Sequence, residues 1–146
     1  MATAKEIMSD KVITLTASTD ILDAVEVFNN KKFSSVPVTT VTGEIAGQLT
    51  EIVLVRLLVM HQVQPDKYKK LAHCLEFLEP AVFVEPADPI AVVIKAVMSS
   101  SSKRVVVSMD KCKCLGIISP KDLIRALAAG DKTAQAVQKA VEKNVA

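Results

Sequence analysis

Glycine, histidine and aromatic residues are scarce in this chain, and each shortage argues against a class of function. The four glycines form neither a Gly-x-x-x-x-Gly-Lys phosphate loop nor a dinucleotide-binding pattern. The two histidines, His61 and His73, lie away from the cysteine pair of the sequence and offer no base to a nucleophile, so we expect no enzymatic activity. Four phenylalanines, one tyrosine and a net charge of +2 supply neither stacking aromatics nor a basic stripe, so we expect no nucleic-acid binding.

Cysteines and long apolar runs are also few. Three cysteines, an odd number, do not indicate a disulfide framework. Cys112 and Cys114 form a Cys-x-Cys pair, but a zinc site needs two more ligands nearby, so we expect no metal and no required cofactor. The longest apolar segment, 52–60, contains Arg56 and is shorter than the roughly 20 residues of a membrane span. Because no apolar signal region occurs near the N-terminus, we expect a cytoplasmic protein without membrane contact.

The sequence does contain an internal repeat. Residues 8–58 recur at about 77–127 without a gap, and the shift is constant at 69 positions: it pairs Gly47 with Gly116 and Val38 with Val107. Two copies of about 50 residues each favour one pseudo-two-fold domain over a solenoid. Clefts between the halves of such a domain are common sites for small ligands.

Each copy is predicted to form the pattern β-α-β-β-α, which gives an α/β (α+β) fold class. Its hydrophobic residues are mostly aliphatic and β-branched, as expected for strands covered by helices. The strands are predicted over 12–15, 33–38, 45–49, 81–84, 104–109 and 114–118. The domain limits are predicted as a first motif over 1–62, a linker helix over 63–79, a second motif over 80–130 and a C-terminal helix over 131–146.

The segment Gly116-Ile-Ile-Ser-Pro-Lys-Asp122 is the most informative local motif. Ser119 lies where a predicted strand ends and a helix begins, so free backbone N–H groups and a hydroxyl could bind an anion. Asp122 follows one helical turn later, where a carboxylate could accept hydrogen bonds from the vicinal hydroxyls of a ribose. The same spacing also fits a capping box, in which both side chains only stabilise the helix start. The four residues alone leave both interpretations open.

Together with the repeat, this motif resembles a tandem pair of cystathionine-β-synthase (CBS) domains, also called a Bateman module, over residues 4–130. The residues that carry the resemblance are Ile7-Met8, Ser34-Ser-Val-Pro-Val38, Gly47-x-x-Thr50, Lys103-Arg-Val-Val-Val107 and Gly116-x-x-Ser119-x-x-Asp122. The resemblance implies two motifs packed through their sheets, with an adenosine ligand such as AMP, ADP, ATP or S-adenosylmethionine bound in a cleft between them.

The resemblance also assigns roles to individual residues of this sequence. Asp122 would hold the ribose hydroxyls, Ser119 would contact phosphate, and the backbone near Ile117 would line the purine slot. Arg104 matches a position whose guanidinium often reaches phosphates. The opposite wall would come from the first copy, with Val12 and Ile13 against adenine and with Phe33 and Ser34 nearby.

The first copy departs from the family pattern, because Val53 stands where the ribose-binding aspartate is expected. An aliphatic side chain accepts no hydrogen bond, and each ribose hydroxyl buried without a partner would cost about 1–3 kcal/mol. We therefore predict one competent cleft per chain, at Ser119 and Asp122, and one degenerate cleft at Thr50 and Val53.

These observations favour a stand-alone, non-catalytic module that senses an adenine nucleotide and acts on a separate, unknown effector protein. The resemblance further implies a homodimer, with apolar helix faces formed by Ile52, Val55, Leu58 and Val59 and by Leu123, Leu127 and Ala128. The alternative is a ligand-free structural or interaction module, in which both clefts have lost their ligand and the domain serves only to dimerise or to bind a partner protein.

Overall fold

The computed structural model describes residues 2–31 and 33–129, which fall into two compact units. The first unit comprises residues 13–81. The second unit joins residues 2–12 to residues 82–129. The predicted C-terminal helix over 131–146 lies outside the described residues. In the described part of the chain, no helix is both long and apolar enough to cross a membrane.

The order of the elements confirms the β-α-β-β-α pattern that was predicted for each copy. In chain order they are α1 (Ala4–Ile7), β1 (Leu15–Thr16), α2 (Ile21–Lys31), β2 (Ser35–Thr39), β3 (Ile45–Thr50), α3 (Glu51–Val63), a 3₁₀ helix (Leu71–Phe77), β4 (Phe83–Val84), α4 (Ile90–Ser99), β5 (Val105–Val107), β6 (Gly116–Ile118) and α5 (Pro120–Ala129). The fold class is thus mixed α and β, with one three-stranded sheet in each unit.

The two sheets repeat the same hydrogen-bonding register. In the first unit, β2 is the central strand, parallel to β1 and antiparallel to β3, and Val38 pairs with Leu15 and Gly47. In the second unit, β5 is central between parallel β4 and antiparallel β6, and Val107 pairs with Val84 and Gly116. The sequence repeat is therefore also a structural repeat.

Aliphatic side chains at strand and helix spacing build a separate core in each unit. All three valines of β5 are buried, and α4 buries Ile90, Val93, Ile94 and Val97 along one face. The core of the first unit consists of Leu15, Ile21, Ala24, Phe28, Val36, Val38, Leu49, Val53, Leu54, Leu57, Leu71, Cys74 and Leu78. The core of the second unit consists of Ala4, Ile7, Val84, Ile90, Val93, Ile94, Val97, Val105, Val107, Ile118 and Leu123.

The segment that precedes each repeat belongs to the unit of the other repeat. Helix α1 precedes the first repeat, yet Ser9 just after it forms an antiparallel bridge with Ile117 in β6. The 3₁₀ helix precedes the second repeat, yet Glu79 just after it forms an antiparallel bridge with Gln48 in β3. The predicted motif limits follow chain order and differ from the units here, because self-similarity of sequence does not report which copy a flanking segment contacts.

Most strands are shorter than predicted or shifted by one to three residues, and two differences change the description of an element. The predicted linker helix over 63–79 is a 3₁₀ helix at Leu71–Phe77, and it buries Leu71 and Cys74, a spacing of three that suits three residues per turn. The first strand was predicted over 12–15 but is found at Leu15–Thr16. Only these two residues pair with β2, so Val12 and Ile13 precede the sheet.

Gly47 and Gly116 occupy equivalent positions in the two units, and at both positions the backbone of a flanking segment approaches closely. A Cβ atom on Gly47 would lie 2.7 Å from the carbonyl oxygen of Glu79. A Cβ atom on Gly116 would lie 2.9 Å from the carbonyl oxygen of Ser9 and would overlap the side chain of Met8. Both glycines therefore leave room for the exchanged flanking segments.

Candidate functional site

The candidate site is the turn that connects β6 to α5. Ser119 follows the last residue of β6 and immediately precedes Pro120, the first residue of α5. Proline is well suited to this position, since its fixed φ fits the helix and its missing N–H is not required there. The carbonyl of Ser119 accepts bonds from the N–H groups of Asp122 and Leu123, at 3.0 and 3.2 Å. The turn thereby places Ser119 and Asp122 on the same side of the helix start.

The carboxylate of Asp122 is buried, with 3% of its surface exposed, and both of its oxygens accept hydrogen bonds. Oδ2 accepts from the backbone N–H of Ser119 at 2.9 Å and from its hydroxyl at 3.1 Å. Oδ1 accepts from the hydroxyl of Ser9 at 3.0 Å and from Nη2 of Arg125 at 3.1 Å. Asp122 thus stabilises the helix start, as the capping interpretation predicts, and it also accepts from Arg125 one turn later and from Ser9 near the N-terminus.

Ser9 and Arg125 are members of this cluster that the sequence analysis did not select. Arg125 lies three residues after Asp122 on α5, a spacing at which opposite charges meet on a helix, so the ion pair could have been predicted. Ser9 directly follows the Ile7-Met8 mark, but it is 113 positions from Asp122. Its contact depends on the exchange of flanking segments and could not have been read from local spacing.

Arg104 lies in the turn before β5, in the same unit as Asp122. Its Nη1 donates to the carbonyl of Ser102 at 3.3 Å, and its own carbonyl accepts from the hydroxyl of Ser100 at 3.0 Å. The preceding residue, Lys103, has a positive φ of 58° and its Nζ donates to the carbonyl of Met98. The turn therefore fixes the backbone of Arg104. Contact of the Arg104 guanidinium with phosphate stays a prediction.

Ile117 contributes backbone groups that are already paired. Its N–H donates to the carbonyl of Ser9 at 3.0 Å, and its carbonyl accepts from the N–H of Ser9 at 2.9 Å. The Ile117 side chain is half-buried, as is that of Val12 in the same unit. Contact of either residue with a purine stays a prediction. For Ile117 such a contact would involve the side chain, because its N–H already donates to Ser9.

Ile13, Phe33 and Ser34 belong to the first unit, and each is half-buried. Phe33 packs against the core of that unit. The carbonyl of Ser34 accepts from the N–H of Glu51 at 3.3 Å, which closes the turn from β3 into α3. The prediction that these three residues face the same ligand as Asp122 concerns both units and stays a prediction.

The equivalent turn of the first unit contains no carboxylate at the position of Asp122. The hydroxyl of Thr50 accepts from the N–H of Val53 at 3.3 Å and caps α3. The Val53 side chain is buried in the core of the first unit. Glu51, the nearest acidic residue, is exposed. Chemically, this turn can cap a helix but offers no buried carboxylate to a diol.

The three cysteines are free thiols in two different settings. Cys74 is buried, and burial raises its thiol pKa, with the nearby charge of Glu76 adding to the effect. Burial also raises the pKa of the Cys114 thiol, and a backbone hydrogen bond of Gly116 partly offsets this rise. Residues 2–31 and 33–129 contain no group of three or more His, Cys, Asp or Glu side chains arranged to hold a metal.

Comparison with known proteins identifies the family. A sequence profile of the CBS domain matches the chain twice, over residues 4–59 and 76–129. The chain belongs to the CBS-domain family. These matches coincide with the two β-α-β-β-α repeats and confirm the resemblance that the sequence motifs indicated. No curated protein sequence matches the chain.

Solved structures of CBS pairs are similar to this chain in fold. The AMP complex of CBSX2 matches with a TM-score of 0.72 at 19% identity, covering 88% of this chain and 98% of that one. CBSX2 from Arabidopsis thaliana, described as a CBS-pair protein, matches at 0.71 and 19% identity, covering 87% and 94%. The CBS pair of MJ0100 in complex with 5′-methylthioadenosine and S-adenosyl-L-methionine matches at 0.65 and 17% identity, covering 88% and 98%.

Proposed function

We propose that this CBS pair is a regulatory module that binds an adenosine-containing nucleotide, such as AMP, ADP or ATP, at the carboxylate of Asp122. Two similar structures carry adenosine compounds, AMP in one case and 5′-methylthioadenosine with S-adenosyl-L-methionine in the other. They support the ligand class for this chain. The nucleotide would shift the equilibrium between two arrangements of the module only as far as it binds one arrangement more tightly than the other. A separate effector protein could then detect that shift.

The observation that carries this proposal is a buried carboxylate at a strand-to-helix turn. Asp122 is an acceptor for neighbouring hydroxyls, while Ser119 and the positive end of α5 are suited to an anion one turn earlier. An adenosine phosphate presents this combination, since it carries a vicinal diol and an anionic group. Arg104 of the same unit is the cationic side chain that we assign to the phosphate.

We further propose one binding site per chain. The Asp122 turn of the second unit and the Thr50 turn of the first unit both lead from the third strand of a sheet into a helix, but Val53 replaces the carboxylate. Two ribose hydroxyls facing Val53 would lose their bonds to water without gaining an acceptor, at about 1–3 kcal/mol each. The difference in affinity between the two turns should therefore be large.

A nucleotide panel read by thermal unfolding tests the ligand class. AMP, ADP, ATP and S-adenosylmethionine are each added to the purified protein, and a ligand at about 100 times its dissociation constant should add about 2.7 kcal/mol of stability. We expect at least one of them to raise the melting temperature of the wild type and of Glu51→Ala, and none to raise that of Asp122→Ala. No shift in the wild type, or an equal shift in Asp122→Ala, would contradict the proposal.

The second candidate function is a ligand-free structural or interaction module. The observation in its favour is the satisfied state of Asp122, whose oxygens already accept from Ser9, Ser119 and Arg125. A side chain with this many partners has a sufficient structural reason to be present. The panel distinguishes the two functions, because a purely structural Asp122 predicts no nucleotide-dependent change in stability.

For either function we propose a homodimer formed through α3. Ile52, Val55, Val59 and Val63 are exposed along one stripe of this helix, and Ile52 and Val63 are 70% and 73% exposed. A second copy is a suitable occupant, since a helix face can meet itself across a two-fold axis and match apolar with apolar. On α5 the predicted face must be corrected: Leu123 is buried in the core, and Ile124 is the large apolar residue that is exposed.

A further inference from the structure

The hydrogen-bonding capacity of the Asp122 carboxylate is fully used by the protein itself. An ionised carboxylate offers about four acceptor positions, two on each oxygen. Four donors of the second unit take them: the N–H and the hydroxyl of Ser119, the hydroxyl of Ser9 and the guanidinium of Arg125. A ribose that brings two hydroxyl donors must therefore replace two of these four.

The four donors differ in how easily they can leave. The N–H of Ser119 lies at the start of a helix, where a backbone donor needs an acceptor, so it stays. Arg125 is attracted by charge, although its side chain is 70% exposed and the pair is correspondingly weak. The Ser119 hydroxyl can turn to the phosphate that the proposed function assigns to it. Ser9 is exposed, so water can take over the bond of its neutral hydroxyl.

The backbone around Ser9 is fixed even if its hydroxyl moves. Both backbone groups of Ser9 are bonded to Ile117, at 2.9 and 3.0 Å. The neighbouring Met8 side chain packs against Gly116, and Ile7 is buried in the core of the second unit. Release of Asp122 by Ser9 is thus a rotation of one hydroxyl. The energetic effect should be no more than the net value of one ordinary hydrogen bond, because water takes over the bond that the hydroxyl gives up.

From this count of donors we infer that the Ser9 hydroxyl is a built-in competitor for the nucleotide site. It donates to Oδ1 of Asp122 in this structure, and it releases that oxygen when the vicinal diol of a ribose binds. The inference rests on the proposed role of Asp122 in nucleotide binding. It adds that the flanking segment at residues 2–9 lowers the affinity of the site, so changes in this segment alter the response to nucleotide.

The test compares AMP binding by the wild type, Ser9→Ala and Ser18→Ala in isothermal titration. Removing the competing hydroxyl leaves Oδ1 with an open acceptor position, and we expect Ser9→Ala to bind AMP about threefold to tenfold more tightly. Ser18 is a matched control, because it is an exposed serine whose hydroxyl bonds only locally, to Oγ1 of Thr16 at 2.8 Å. Ser18→Ala should bind AMP as the wild type does.

The outcomes separate this inference from the proposed function. Unchanged AMP affinity in Ser9→Ala would overturn the inference and leave nucleotide binding intact, and weaker binding would overturn it by making Ser9 a ligand contact. Absence of AMP binding in all three proteins would overturn both. Melting curves give a second readout. Without AMP, Ser9→Ala should melt at a lower temperature than the wild type. At saturating AMP this difference in melting temperature should become smaller, since coupling between two interactions is reciprocal. An equal difference in melting temperature with and without AMP would contradict competition between the Ser9 hydroxyl and the ribose for Asp122.

Discussion

At the scale of single residues, two aspartates of the second unit organise turns by collecting donors. Asp122 does so while buried at the start of α5. Asp110 does so at the exposed hairpin between β5 and β6, where Oδ1 accepts from the N–H groups of Cys112 and Lys113, both at 2.9 Å, and from the hydroxyl of Ser108 at 3.2 Å. The positive φ of Lys111, 62°, shows how tightly this turn bends.

The pKa of Asp110 predicts how the stability of this hairpin depends on pH. The N–H groups of Lys113 and Cys112 hold the pKa of the Asp110 carboxyl below its ordinary value, with a smaller contribution from the Ser108 hydroxyl and some opposition from desolvation. A carboxyl with a lowered pKa in the folded state adds stability that is fully present above the pKa of the unfolded chain, about 3.9. That stability is lost as the pH falls through the lowered pKa.

We therefore expect Asp110→Ala to melt at a lower temperature than the wild type at pH 7, and the difference to shrink as the pH falls below about 4. Asp110→Asn is the matched variant, because its amide oxygen can still accept from the turn while carrying no charge. It should show an intermediate melting temperature at pH 7. A difference between wild type and Asp110→Ala that is the same at pH 7 and at pH 3 would contradict this account of the turn.

At the scale of elements, the exchange of flanking segments determines which positions must be glycine. Gly47 of β3 faces the chain after the 3₁₀ helix, and Gly116 of β6 faces the chain after α1. In each case a bridge between backbones brings a carbonyl oxygen to the place of a Cβ atom. The flanking segments are therefore parts of the folded units and not connectors alone.

Substitution of Gly47 by alanine tests this close approach. The added Cβ atom would meet the carbonyl of Glu79 at 2.7 Å and the Cβ atom of Leu78 at 3.0 Å, so backbone must shift. We expect a loss of about 1–3 kcal/mol in the free energy of unfolding, measured by urea titration. Gly43→Asn is the control, because Gly43 has a positive φ that asparagine tolerates and nothing lies within 4 Å. Equal losses for the two variants would contradict the explanation.

The elements that the sequence predicted well are those whose signal is local. Helices α2 and α4 follow from aliphatic side chains at helical spacing, and β5 follows from consecutive valines. The 3₁₀ helix was predicted as a longer α-helix because Leu71 and Leu75 fit a spacing of four, whereas the structure buries Leu71 and Cys74 at a spacing of three. Which unit each flanking segment joins depends on pairing between distant residues, which a single sequence does not encode locally.

At the scale of the whole molecule, the exposed stripe of α3 predicts association. The double variant Val55→Lys/Val59→Lys places two charges in the stripe. In light scattering at micromolar concentration we expect this variant to be monomeric and the wild type to be dimeric. Val41→Lys is the control, since Val41 is 88% exposed but lies in the turn between β2 and β3. It should remain dimeric. A monomeric wild type would contradict the proposed homodimer.

The candidate site could be predicted in part. Ser119 and Asp122 are brought together as their spacing indicated, and Thr50 caps its helix as a residue at that position should. The bond from the Ser9 hydroxyl to Oδ1 of Asp122 could not be predicted, since the two residues are 113 positions apart and meet only through the exchange of flanking segments. The residues assigned to the opposite wall, Ile13, Phe33 and Ser34, come from the family resemblance alone and stay predictions.

Isothermal titration of the purified chain with AMP is the decisive experiment for nucleotide binding at Asp122, because it counts sites as well as measuring affinity. We expect one AMP per chain in the wild type and in Glu51→Ala, and no measurable heat in Asp122→Ala below its melting temperature. Two equal sites per chain would contradict the degenerate role given to Val53. Undiminished AMP binding by Asp122→Ala would contradict the claim that this carboxylate holds the ribose.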